Sequence, residues 1–192
     1  MKIYAKPLKR RAQMKAERRR NYFEKTVRPI VRNEKMQSTK KLIQHGDVSV
    51  FAHSMAVAAY SVKLAKKLGI RYDRRSLIRG AVLHDFFLYD WHKINNVGDG
   101  LHGFAHPNTA SKNAVRYFAL NKRELDIIRK HMWPLTLTKL PKYRESWIVC
   151  AADKYCSLLE TLGLNTYDDD TFIKHIAEER RPVRRKQPGK KL

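Results

Sequence analysis

Residues 47–69, DVSVFAHSMAVAAYSVKLAKKLG, carry the pattern that decides the fold. Val48, Phe51, Met55, Ala58, Ala59, Val62 and Ala65 recur at steps of three and four, which is one face of a helix, and Gly69 supplies the stop. His53 lies on that same apolar face. Further along, Asp73 is placed to N-cap a helix through Leu77, Ile78, Ala81, Val82 and Asp85. The stretch 88–105, LYDWHKINNVGDGLHGFA, has three glycines and no period, so it reads as a long loop of the kind that serves a site. Pro107 fits the first turn of a helix through Ala110, Ala114, Val115 and Phe118. Asn121 and Glu124 form a capping box for a helix ending near His131, broken by Pro134. Another helix is expected over 145–162, and residues 168–170 cap a last one through Phe172, Ile173 and Ile176. On the other side, 21–45 reads as a helix carrying Tyr22, Phe23, Val27, Ile30, Val31, Leu42 and Ile43, and 1–20 as a mobile arm or a charged helix. Alternating strand patterns are missing throughout, so the expected fold is all-α, a single helical bundle.

A chain of 192 residues is long enough for one well-filled core. The hydrophobic fraction of 43% is ordinary, whereas the net charge of +23 is not. Residues 1–45 hold 15 Lys/Arg against 3 acids and residues 171–192 hold 8 against 2, so the excess sits at both ends of a nearly balanced body. Such ends suit RNA or another polyanion, or serve only to keep the chain in solution. Cys150 and Cys156 stand six apart on one expected helix and do not face each other, which argues for a reduced compartment. No apolar run reaches the roughly 18 residues of a membrane span, and MKIYAKPLKRRAQMKAERRR lacks the apolar stretch of a signal peptide. The expected location is the cytoplasm.

The chemistry rests on where polar residues stand. His53 sits on a buried helix face, His84 and Asp85 end an apolar helix, His131 closes another, and Asp153 lies inside the apolar run WIVCAADKYCSLL. A buried carboxylate without a partner is costly, so polar groups that all look inward are expected to share a cation. Imidazole and carboxylate together select Zn, Mn, Fe, Co or Ni over Mg or Ca. His45 and His175 lie near the charged ends and read as surface residues, and Trp91, Trp133 and Trp147 as packing.

The order His53, then His84-Asp85, then Asp153, with FAHSMAVAAYSVKLAKKLGI, AVLHDF and VCAADK around them, resembles the HD superfamily of metal-dependent phosphohydrolases over about residues 47–160. The resemblance implies an HD domain at 46–165, a basic N-terminal arm and helix at 1–45, and a C-terminal helix and basic tail at 166–192. Two-metal members insert two further histidines, and HGFAHPNTA and IIRKHMWP offer His106 and His131. The gaps are 21 residues from Asp85 to His106, 25 on to His131 and 22 on to Asp153. His106 matches better than His102 because it precedes the proline. The implied ligand set is therefore His53, His84, Asp85, His106, His131 and Asp153, holding two divalent metals per chain. Asp85 would bridge them, with His84 and Asp85 at the catalytic centre and a metal-borne hydroxide as nucleophile. The implied substrate is a nucleotide or small phosphoester. Many relatives carry a lysine three residues after the HD aspartate, where this chain has Leu88, so Lys93, His92 or Lys154 is expected to meet the phosphate instead. The same ligands occur in HD-type di-iron oxygenases, and a regulatory or RNA-associated HD module is a third reading.

Overall fold

The computed structural model describes residues 5–93 and 101–164. Among these are seven α-helices and one two-stranded hairpin: α1 (Ala5–Val31), α2 (Glu34–Ser38), β1 (Ile43–His45), β2 (Val48–Ser49), α3 (Val50–Lys67), α4 (Arg74–Leu83), α5 (His102–Tyr117), α6 (Lys122–Lys130) and α7 (Arg144–Thr161). The all-α class holds. The expected helix through residues 168–176 and His175 lie outside the described residues, as does part of the 88–105 loop.

Four of the helices, α2, α3, α4 and α6, begin where a side chain satisfies their free amides. Asn33 Oδ1 accepts from the amides of Lys35 and Met36 at 2.9 and 3.3 Å, Ser49 Oγ from Ala52 at 3.1 Å, and Asp73 Oδ1 from Ser76 at 2.6 Å. The Asn121–Glu124 capping box is complete. α3 packs on α4 and α7, α4 on α6, α6 on α5 and α7, and α1 lies against α4. Phe23, Val27, Ile30 and Val31 of α1 close the core formed by Phe51, Met55, Leu77, Ile78, Leu83, Ile127 and Ile128. Each such side chain contributes roughly 1.5–3 kcal/mol when fully buried. Gly80 lets α4 approach α6, because a Cβ there would meet the Ile127 side chain, with its Cβ at 3.0 Å and Cγ2 at 3.1 Å.

Five local expectations are corrected. The 21–45 helix stops at Val31, where Asn33 starts α2 and a 3-10 turn over Thr39–Lys41 follows. A hairpin then replaces the expected absence of strands; three and two residues are too few to show alternation. Its turn uses Gly46 at φ +53, where a Cβ would also approach the Glu160 carbonyl oxygen at 3.1 Å. α3 consequently begins at Val50 rather than Asp47. α4 ends at Leu83, so His84 is its C-cap and Asp85 lies in the turn beyond. Finally, α5 starts at His102, which takes residues 102–105 out of the expected loop and puts Pro107 inside the helix, past its first turn.

Candidate metal centre

Five helices bring His53, His84, Asp85, His106, His131 and Asp153 to one buried point at the middle of the fold. His53 comes from the second turn of α3, His106 from α5 and Asp153 from α7. His84 and His131 use one device twice: each is the C-cap of its helix and donates Nδ1–H back to a carbonyl three residues earlier, Ala81 at 2.7 Å and Ile128 at 2.9 Å. Helix C-termini favour positive charge, so both rings stand where a cation is stabilised.

The Asp85 carboxylate divides the cluster. Its Oδ2 lies 3.3 Å from His84 Nε2 and 3.6 Å from His53 Nε2, while its Oδ1 lies 3.2 Å from His106 Nε2 and 3.4 Å from His131 Nε2. Asp153 Oδ1 closes the first half, 3.2 Å from His53 Nε2 and 3.5 Å from His84 Nε2. All four rings are anchored through Nδ1, since His106 donates to the His102 carbonyl at 2.8 Å and His53 to Glu160 at 2.8 Å. With Nδ1 committed as donor, each Nε2 faces inward, the arrangement of metal-ligating histidines. His106 and His131 Nε2 approach to 2.8 Å, two lone pairs that need a proton or a cation between them. His84 Nε2 and Asp85 Oδ1 are buried with no hydrogen-bond partner. This donor set fits divalent cations, and His53–His84–Asp153 and His84–Asp85–His131 are each compact enough to hold one.

The electrostatics agree. Burial opposes charge on His53, but its hydrogen bonds to Asp153 and Glu160 outweigh that and raise its pKa to about 9. Burial likewise opposes charge on His84, and Asp85 and Asp153 raise it to about 10. Burial would raise the pKa of both aspartates, yet the surrounding histidines hold them well below the usual carboxylate range. His131 is pushed down to about 4, chiefly by burial. Protons on His53 and His84 thus stand in for positive charge, and a cation must displace them.

Lys154 Nζ donates to the His131 carbonyl at 2.8 Å and lies 3.2 Å from Asp153 Oδ2, at the edge of the cluster. Lys93 is 81% exposed and pairs with Asp90 at 3.1 Å, with no described contact to the six residues. His102 is not among those around Asp85; it lies one ring further out, stacked on His106 at 4.6 Å. Trp133 and Trp147 pack edge to face at 4.7 Å.

Sequence reading missed three contributors. Gln44 on β1 donates from Nε2 to Asp85 Oδ2 at 2.6 Å, and only the hairpin makes this contact legible. His45 is half-buried rather than an ordinary surface residue; its ring meets that of His53 at 5.5 Å, and burial lowers its pKa. Glu160 carried a signal that was available: it stands seven residues after Asp153, an acidic residue on the same face of α7.

Among known families, the one described as HD domain matches residues 50–158. Neither the comparison with curated proteins nor that with solved structures finds a match.

Proposed function

The chain belongs to the HD-domain family, mostly metal-dependent hydrolases, and from that premise we propose that it holds two divalent metals per chain and hydrolyses a nucleotide or small phosphoester. One observation carries the reading: the two oxygens of Asp85 face two different histidine pairs, His53 with His84 and His106 with His131. When bound, such a metal pair supplies Lewis acidity towards a phosphoryl oxygen and acidifies water near neutral pH. Asp85 fixes the spacing of the two halves, and Asp153 completes the half that faces His53 and His84. These two carboxylates return only part of the positive charge of two divalent cations, so the filled centre favours an anionic substrate. Lys154, with its side chain 41% exposed beside Asp153, brings a cationic donor to the edge where a phosphoryl oxygen would sit. Lys93 would first have to leave Asp90.

Elemental analysis of protein purified without added metal is expected to give close to two divalent ions per chain, with most of that content lost in Asp85→Ala. An unchanged content in the variant would remove the reading. The expected activity is release of phosphate or nucleotide from a panel of phosphoesters and dinucleotides, abolished by chelation. Leu88, standing where many HD phosphohydrolases have a lysine, favours the di-iron oxygenase as second reading. Absence of turnover on the panel, together with oxygen consumption by iron-loaded protein, would select it.

The basic half of α1 is assigned to RNA or another polyanion. Residues 10–20 hold Arg10, Arg11, Lys15, Arg18, Arg19 and Arg20 against Glu17, and all but the half-buried Arg19 are exposed. Each neutralised phosphate contributes about −0.7 to −0.9 to the slope of log K against log salt. Removing residues 1–20 is expected to flatten that slope and leave metal content unchanged; RNA binding insensitive to salt would refute the assignment.

A further inference from the structure

His102 and Tyr89 are left over once Asp85 and the five residues around it are accounted for, and they too are held by specific contacts. Leu88 adopts a left-handed backbone at φ +62, the only non-glycine positive φ among the described residues. A branched side chain in that conformation is strained, and such strain collects at functional sites. The residues that follow lie against the start of α5. Tyr89 Oη lies 2.8 Å from His102 Nδ1. Trp91 stacks on His102 at 4.9 Å and 12°, and His102 stacks on His106 at 4.6 Å and 21°. Phe87 meets the His102 ring edge-on at 4.9 Å, so three aromatic neighbours pack around it. With the Tyr89 hydroxyl as donor to Nδ1, the ring proton sits on Nε2, and this is the tautomer the inference below requires. That Nε2 has no protein partner among the described residues, and the residue is only partly buried.

We infer that the Tyr89–His102 pair is a substrate-binding element, in which His102 Nε2–H donates a hydrogen bond to a phosphoryl oxygen held at the His106–His131 half of the centre. The inference rests on the metal-dependent reading proposed above for the filled site. It gives the strain at Leu88 a purpose: the chain turns there to bring the phenol to the imidazole. His102 then differs from a metal ligand in what it touches, and from a packing residue in having one polar edge kept available.

His102→Phe keeps a flat ring in the stack and removes the donor; Tyr89→Phe removes only the hydroxyl that fixes the tautomer. The test titrates manganese-loaded wild type and both variants with inorganic phosphate by calorimetry, and measures metal content in each. Loss of one hydrogen bond to a charged oxygen should weaken phosphate binding about tenfold in His102→Phe, with Tyr89→Phe intermediate and metal content unchanged. Unchanged phosphate affinity in His102→Phe would make the ring mere packing, and loss of metal in that variant would make it a support for His106; either overturns the inference. If wild type itself takes up no manganese, the metal-dependent reading has failed, and the imidazole nitrogen shifts of the metal-free protein still decide the pair. A single Nε2–H tautomer that becomes mixed in Tyr89→Phe supports it, and an Nδ1–H tautomer in wild type overturns it.

Discussion

Replacing Glu160 by Gln changes one atom type 2.8 Å behind His53 and should alter metal affinity in a way that depends on pH. Two effects oppose each other. The carboxylate makes His53 a more basic ligand, and loss of such an outer partner typically weakens metal binding about 10–100-fold, or roughly 1.4–2.7 kcal/mol. The same carboxylate helps raise the His53 pKa to about 9, so a metal arriving at pH 7 must first remove a proton. Across two pH units that removal opposes binding by roughly 2.7 kcal/mol. Glu160→Gln moves His53 back towards its ordinary 6.5 and relieves much of this opposition. At pH 7 the two effects nearly cancel. Near pH 9.5 the His53 proton is largely gone in both proteins, so only the loss remains. Zinc affinity measured against a competing chelator should therefore differ little at pH 7 and by about 10–100-fold at pH 9.5. A ratio identical at both pH values, or no loss at the higher one, would refute the role given to Glu160.

Two further outcomes follow from the same geometry. In metal-free protein the raised pKa values of His53 and His84, about 9 and 10, contribute stability that is fully present below their ordinary 6.5 and is lost as pH rises through 9 to 10. The melting temperature of metal-free protein should fall across that window, while metal-loaded protein, whose rings are already deprotonated, should lack this decline. In the core, Gly80→Ala places a Cβ among the Ile127 side-chain atoms, including its Cβ at 3.0 Å, where no flexible tip alone can yield. It should destabilise by about 1–3 kcal/mol, lowering the melting temperature by roughly 2–4 °C per kcal/mol, and a melting temperature equal to wild type would contradict the close α4–α6 approach.

The helices were legible because their faces repeat. His53 and Asp153 stood out as polar groups on apolar stripes, and Asn121, Glu124 and Asp73 marked starts that the structure keeps. That six polar residues would converge was legible for the same reason, helped by their order and spacing along the chain. What stayed hidden depends on contacts between elements distant in sequence. Gln44 reaches Asp85 across 41 positions, and no local pattern encodes that approach. The hairpin has too few residues to show a period, and Pro107 misled because proline is more at home in a first turn than where α5 places it. His102 drew attention as an alternative to His106, and only the ring stack separates their places.

The contacts of Gln44 and Glu160 bear on how this domain can be cut. Both residues fall outside the matched span of 50–158, one ahead of it and one behind, and Gly46 seats the hairpin against the end of α7 where Glu160 lies. A fragment trimmed to the recognisable segment would keep every group proposed to touch metal. It would lose the brace on Asp85 and the brace on His53 together. The heritable unit of this centre is thus longer than its signature, and grafting or shuffling it would have to carry the margins as well.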